Sequence, residues 1–165
     1  MLRLIIVDDE KIIRESIRSL IDWESLGIEV VGVCKNGLEA YDAILDSYPD
    51  IVLTDIKMPG LSGLELIEKL NDTRENIQFI ILSGYSEFEY AKQAMRFGIR
   101  HYLLKPCNEN QIIEAIEDVK KACYLKQQAD QEPEQNVRFE KSVFRNILTD
   151  GLTNAAEPAL LCDNY

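Results

Sequence analysis

Several things are scarce in this 165-residue chain, and each scarcity narrows what it can be. No apolar run approaches the ~20 residues that cross a bilayer, and Met1-Leu2-Arg3-Leu4-Ile5-Ile6-Val7 leads straight into acids instead of a cleavage site. That is the pattern of neither a membrane span nor a signal peptide, so the expected location is the cytoplasm. Histidine occurs once, at His101, and the four cysteines (Cys34, Cys107, Cys123 and Cys162) are scattered with no C-x-x-C pair. Zinc sites and disulfide frameworks are therefore disfavoured, and reduced thiols are expected. Basic residues are short as well: 18 Lys and Arg stand against 29 Asp and Glu, a formal net charge of −11. Such a chain repels phosphate backbones, so these residues are not expected to bind nucleic acid unaided. To handle phosphate at all, it needs a cation.

What is present is a soluble composition, 46% hydrophobic and 28% charged, and a regular alternation. Short, continuously apolar runs at Leu2–Val7, Ile28–Cys34, Asp50–Thr54, Gln78–Leu82 and Arg100–Leu104 read as strands covered on both faces, which favours a parallel sheet. Segments with helical spacing come after each run. Their apolar stripes are Ile12, Ile13, Ile17, Leu20 and Ile21; Leu38, Tyr41, Ala43, Ile44 and Leu45; Leu64, Leu66, Ile67 and Leu70; Phe88, Ala91, Ala94, Met95 and Phe97; and Ile112, Ile113, Ile116, Val119 and Cys123. Asn36, Ser86 and Asn108 stand where helices begin, and Gly27 and Gly98 where they end. The expected fold is α/β, a doubly wound, flavodoxin-like (βα)₅ with a five-stranded parallel sheet in the order 2-1-3-4-5.

The pattern stops near Tyr124. Residues 1–125 are expected to form the domain. Residues 126–136 (KQQADQEPEQN) are polar and contain Pro133, as a linker or helix extension would. Residues 137–165 form a C-terminal extension. In it Val137–Leu148 fit a short amphipathic helix, and the remainder reads as the start of a downstream region or as a tag.

In a doubly wound sheet, function gathers at the carboxyl ends of the strands. The first strand ends in Asp8-Asp9-Glu10, the third in Asp55 (within IVLTDIKMPG), the fourth in Ser83-Gly84 and the fifth in Lys105-Pro106. Each has an ordinary explanation alone: a helix cap for Asp8 and Asp9, a turn for Asp55 before Pro59-Gly60, a turn hydroxyl for Ser83, a solvated charge for Lys105. Capping accounts for one acid but not for three acids opposite a lysine. Clustered carboxylates repel and push a pKa upward unless a hard cation joins them. Mg2+, with carboxylate, carbonyl and water ligands, suits such a set. Asp55 would then be the nucleophile that becomes an aspartyl phosphate, with Lys105 and Ser83 contacting phosphoryl oxygens.

Asp8-Asp9, Asp55, Ser83, Tyr102 and Lys105-Pro106, in this order, resemble the receiver domain of two-component response regulators over roughly Met1 to Tyr124. The resemblance implies Asp55 as phosphoacceptor for a sensor histidine kinase, with Asp8, Asp9, Asp55 and the backbone carbonyl of Lys57 as Mg2+ ligands. It also implies Ser83 and Tyr102 as switch residues, Lys105 as the phosphate contact and a cis bond before Pro106. Homodimerisation through the fourth helix, fifth strand and fifth helix is implied on phosphorylation, with no enzymatic turnover. The stretch SGYSEFEYAKQAMRFGIRHYLLKPCNENQI resembles regulators with a downstream AraC-type helix-turn-helix domain, which implies DNA binding only through a domain absent from this chain.

Three rivals remain. An aspartate-nucleophile phosphatase would place a second Asp where Lys57 stands. A flavin or nucleotide carrier would need a Gly-rich loop where the acids are. A stand-alone receiver would act through protein contacts. Trp23 reads as packing, His101 as a strand-edge residue and Cys107 as a neutral thiol beside Lys105.

Overall fold

The computed structural model describes residues 1–129 apart from 72, 74–75 and 85–87, and gives no side-chain account of Phe88. Met1–Tyr124 form one compact unit and Leu125–Tyr165 a second. The elements alternate as β1 (Leu2–Val7), α1 (Lys11–Leu20), β2 (Ile28–Cys34), α2 (Gly37–Ser47), β3 (Ile51–Asp55), α3 (Gly63–Asn71), β4 (Gln78–Ser83), α4 (Phe88–Arg96), β5 (His101–Leu104) and α5 (residues 109–129). The sheet order is β2-β1-β3-β4-β5 and all pairs are parallel, as the covered apolar runs predict. Residues 126–129 are helical. Ser86 and the amphipathic segment at 137–148 lie outside the described residues.

Strand alternation divides the core. Leu2, Leu4 and Ile6 of β1 face Ile17 and Ile21 on one side together with Ile112, Ile116 and Val119 of α5. Ile5 and Val7 face the other side, against Ala40 and Ile44 of α2 and Leu66 and Leu70 of α3. Ile81 of β4 packs with Ile67 and Ala94, beneath α3 and α4. Trp23 is buried in the first cluster and its indole N–H donates to the Ile17 carbonyl at 3.2 Å, which makes it a packing residue.

The starts of α2 and α5 obey their sequence signals. Asn36 Oδ1 accepts from Glu39 N–H at 2.8 Å, and Asn108 and Gln111 cap each other reciprocally at 2.9 and 3.0 Å. The apolar stripes are narrower than the sequence suggests. Ile12, Leu20, Leu38 and Met95 are 61–80% exposed. Along α1 and its C-cap the core-facing row is Ile13, partly buried, with Ile17 and Ile21, spaced four apart, and Ile12 and Leu20 lie one residue off that row. Two strand ends shift as well. Asp55 pairs with Leu82, and Ser83 with Leu104, so both polar residues are the last rungs of the sheet and not part of the loops after them.

Candidate functional site: an acidic crevice bridged by a lysine

From β1 the chain crosses outward to β2, then returns to place β3 on the other side of β1. Helices therefore leave these two strands in opposite directions, and a crevice opens at their carboxyl ends. Asp8 and Asp9 come directly after β1 there, and Asp55 ends β3. Their carboxylate oxygens lie within 4.8 Å of one another, with Asp8 and Asp55 buried and Asp9 exposed.

Lys105, immediately after β5, reaches across β4 into this crevice. Its Nζ lies 2.6 Å from Asp8 Oδ2 and 3.0 Å from Asp55 Oδ2, with Glu10 Oε1 at 4.0 Å. The Lys105 backbone N–H donates to the Ser83 carbonyl at 2.7 Å, which ties this lysine to the end of β4. The Lys105–Pro106 peptide bond is cis. Asp55 Oδ1 accepts from the Ile56 N–H at 2.6 Å, and Asp8 Oδ1 from the Glu10 N–H at 2.9 Å. Every carboxylate oxygen of the two buried acids thus has a donor. Helix capping does not explain Asp8, because its Oδ2 is committed to a lysine 97 residues away.

Burial pushes the Asp55 carboxyl above the usual carboxylate range, and the Asp8 charge adds to this. The Lys105 ammonium and the Ile56 N–H pull it down without cancelling the rise. For Lys105 burial acts downward, yet its hydrogen bonds to Asp8 and Asp55 prevail and hold it above its ordinary value. A half-buried cation is here shared by two buried anions. Cys107 is nearby in sequence, and burial raises its thiol despite the Lys105 charge, which leaves it neutral.

The remaining predicted residues lie around this core. Ser83 is fully buried at the end of β4. Tyr102 pairs with Ile81 inside β5 and packs with the Ile56, Ile67 and Ala94 cluster, so it lies behind the crevice and not among the acids. Lys57 is exposed in the loop after β3, its ammonium 5.3 Å from the centre of the Tyr90 ring on α4.

Two residues matter here that sequence reasoning passed over. Gly63 begins α3 so close to β3 that a Cβ would lie 2.0 Å from the Asp55 carbonyl oxygen, and its N–H donates to Ile56 O at 2.8 Å. The neighbouring Ser62 caps α3 against Glu65, a Ser-x-x-Glu signal that was legible. Arg14 Nη1 donates to the carbonyls of Asp8 at 2.6 Å and Asp9 at 3.0 Å. No motif announced that contact.

A model of the response regulator receiver domain matches residues 4–117. The chain belongs to the response regulator receiver family. Over 141 residues the chain is 48% identical to the uncharacterized transcriptional regulatory protein YesN of Bacillus subtilis, covering 79% of this chain and 38% of that protein. It is 37% identical over 112 residues to the transcriptional regulatory protein HptR of Staphylococcus aureus, covering 68% and 44%. The chain thus spans less than half the length of these relatives. Among solved structures it resembles the receiver domain of AraT, a response regulator from Geobacillus stearothermophilus (TM-score 0.72, 36% identity, 76% of this chain and 98% of that one). It also resembles a two-component transcriptional regulator AraC from Clostridium phytofermentans (TM-score 0.72, 31% identity, 77% and 98%). Among the described residues, no helix is long and apolar enough to cross a membrane.

Proposed function

We propose that Asp55 is the phosphoacceptor of this receiver and that the phosphoryl group comes from the phosphohistidine of a sensor kinase. One observation carries the reading: Lys105 Nζ sits between Asp8 and Asp55, at 2.6 and 3.0 Å, at the sheet's crevice. A cation already bridges carboxylates there. The same oxygens, with Asp9 beside them, form the hard anionic donor set that Mg2+ prefers. Asp8, Asp9, Asp55 and the Lys57 carbonyl would hold the ion. When bound, Mg2+ offsets the negative charge that phosphoryl oxygens bring into this acidic crevice.

The residues divide the work. One Asp55 oxygen attacks phosphorus, a P–O bond forms, the P–N bond breaks, and its electron pair stays with the kinase imidazole. Lys105 moves from the Asp55 carboxylate to a phosphoryl oxygen of the product, and the buried Ser83 hydroxyl donates to another. The product carries roughly −1.5 to −2 charges and three acceptor oxygens, a local change strong enough to shift a two-state element. Tyr102 packs against α4-side residues, so a displacement at Ser83 passes through β5 to α4. The face of α4, β5 and α5 then pairs with a second copy.

The relatives' names support a transcriptional output, exerted through a DNA-binding region, AraC-type by sequence resemblance, beyond these residues. The receiver acts in the cytoplasm as a switch and not as an enzyme. Residues 1–125 are the switch, and 137–165 belong to the region downstream of it.

Incubation with acetyl phosphate and Mg2+, then intact mass measurement, tests the assignment. The wild type should gain one phosphate and Asp55→Asn none. Undiminished labelling of Asp55→Asn refutes it.

A further inference from the structure

The turn between β1 and α1 presents three acids in succession, Asp8, Asp9 and Glu10, yet it lacks the devices that ordinarily fix a helix start. Glu10, at the N-cap, makes no side-chain cap, and the first turn of α1 carries no acid. Two other groups hold the turn. Asp8 Oδ1 accepts the Glu10 N–H at 2.9 Å. Arg14, one helical turn in, reaches back so that a single guanidinium nitrogen donates to the Asp8 carbonyl at 2.6 Å and the Asp9 carbonyl at 3.0 Å.

We propose that Arg14 is a positioning residue for the acid pair: by gripping two consecutive carbonyls it fixes the backbone from which the Asp8 and Asp9 carboxylates project into the crevice. The inference rests on the reading of those acids as Mg2+ ligands. Hydrogen bonds from a charged donor are stronger than neutral ones, and here they tie two consecutive peptide planes together, which restrains φ and ψ of Asp9. A turn left free would have to be ordered when the ion binds, and that entropy cost would come out of the affinity. The guanidinium suits the task, being permanently charged and only half-buried.

Removing Arg14 separates two effects by sign. As a mere charge, a cation beside three carboxylates opposes Mg2+, so its loss would tighten binding. As a positioning group, its loss loosens the turn and weakens binding. Replacing groups that orient metal ligands commonly costs roughly 10–100-fold in affinity, and an exposed turn belongs at the low end, about tenfold.

Mg2+ titration of the full chain, monitored by amide NMR shifts and checked by circular dichroism, decides between them. Arg14→Gln should bind about tenfold more weakly, Arg14→Lys should fall between it and wild type, and Arg18→Gln, on the exposed next turn, should match wild type. A folded Arg14→Gln that binds Mg2+ as well as wild type, or better, overturns the proposal. Should Arg14→Gln fail to fold, Arg14→Lys carries the test: weaker binding supports positioning and equal binding contradicts it. Wild-type protein that binds no Mg2+ overturns the acid-cluster reading, and this proposal with it.

Discussion

Lys105 and the two carboxylates it bridges behave as one unit. Asp8 is 1% exposed and Asp55 6%, so removing the ammonium leaves two buried anions facing each other. Breaking a buried ion pair by deleting one partner typically costs ~3–5 kcal/mol. Lys105→Ala should therefore lower stability by about 3 kcal/mol without metal, and Mg2+ should restore more stability to this variant than to wild type. Thermal melts with and without Mg2+ check this, and equal Mg2+ effects in both proteins would contradict it. Cys34 gives a second prediction at this scale. Burial, then the Glu39 charge, push its thiol up from 9.0 to about 11, against a smaller opposing effect of Arg14. Above pH 9 the unfolded chain loses this proton while the folded chain keeps it. Stability present below pH 9 is thus lost as pH rises toward 11, by ~1.4 kcal/mol per unit. Urea melts across that window should show wild type losing ground to Cys34→Ala, and parallel curves would contradict the account.

At the scale of elements, the site depends on how closely α3 approaches β3. A Cβ on residue 63 would lie 2.0 Å from the Asp55 carbonyl oxygen, which already accepts the Thr54 hydroxyl at 2.9 Å. Gly63→Ala must push α3 away or move Asp55. We expect a loss of about 1–3 kcal/mol and slower phosphorylation, read from denaturant melts and a phosphodonor time course. Wild-type values for both would show that the contact relaxes freely. Strands and helices were largely legible here because their signals are local: covered apolar runs, caps at Asn36 and Asn108, and Gly98 just past α4. Gly27 ends no helix, since α1 stops at Leu20 with Ile21 as its C-cap and Gly27 turns the chain into β2. Gly63 was not legible, because its constraint comes from the Asp55 carbonyl, which only folding brings near. The exposed Ile12 and Met95 show the converse, since an apolar residue one position off a buried row looks identical in sequence.

Over the whole molecule, the crevice is assembled from strand ends far apart in sequence, joined by a topology that the alternation of runs implies. The acids, Ser83 and Lys105 were legible because each stands at or just past the carboxyl end of a strand and the sheet order brings those ends together. Arg14 was not, since nothing in a lone arginine on a helix signals that it bonds backwards to carbonyls. All five strands and every residue of the crevice lie within the unit Met1–Tyr124. A chain ending at residue 125 should accordingly melt at the same temperature as the full chain and accept phosphate at the same rate; loss of either would assign residues 126–165 a part in the switch.

The central claim is that the acid at the tip of β3 carries the phosphate. Borohydride reduces an acyl phosphate to an alcohol, so an aspartyl phosphate becomes homoserine at its own position. Treatment with acetyl phosphate and Mg2+, then borohydride, then peptide mass mapping should find homoserine at position 55 and unaltered aspartate at 8 and 9. Homoserine at 8 or 9 with position 55 unmodified would contradict the account.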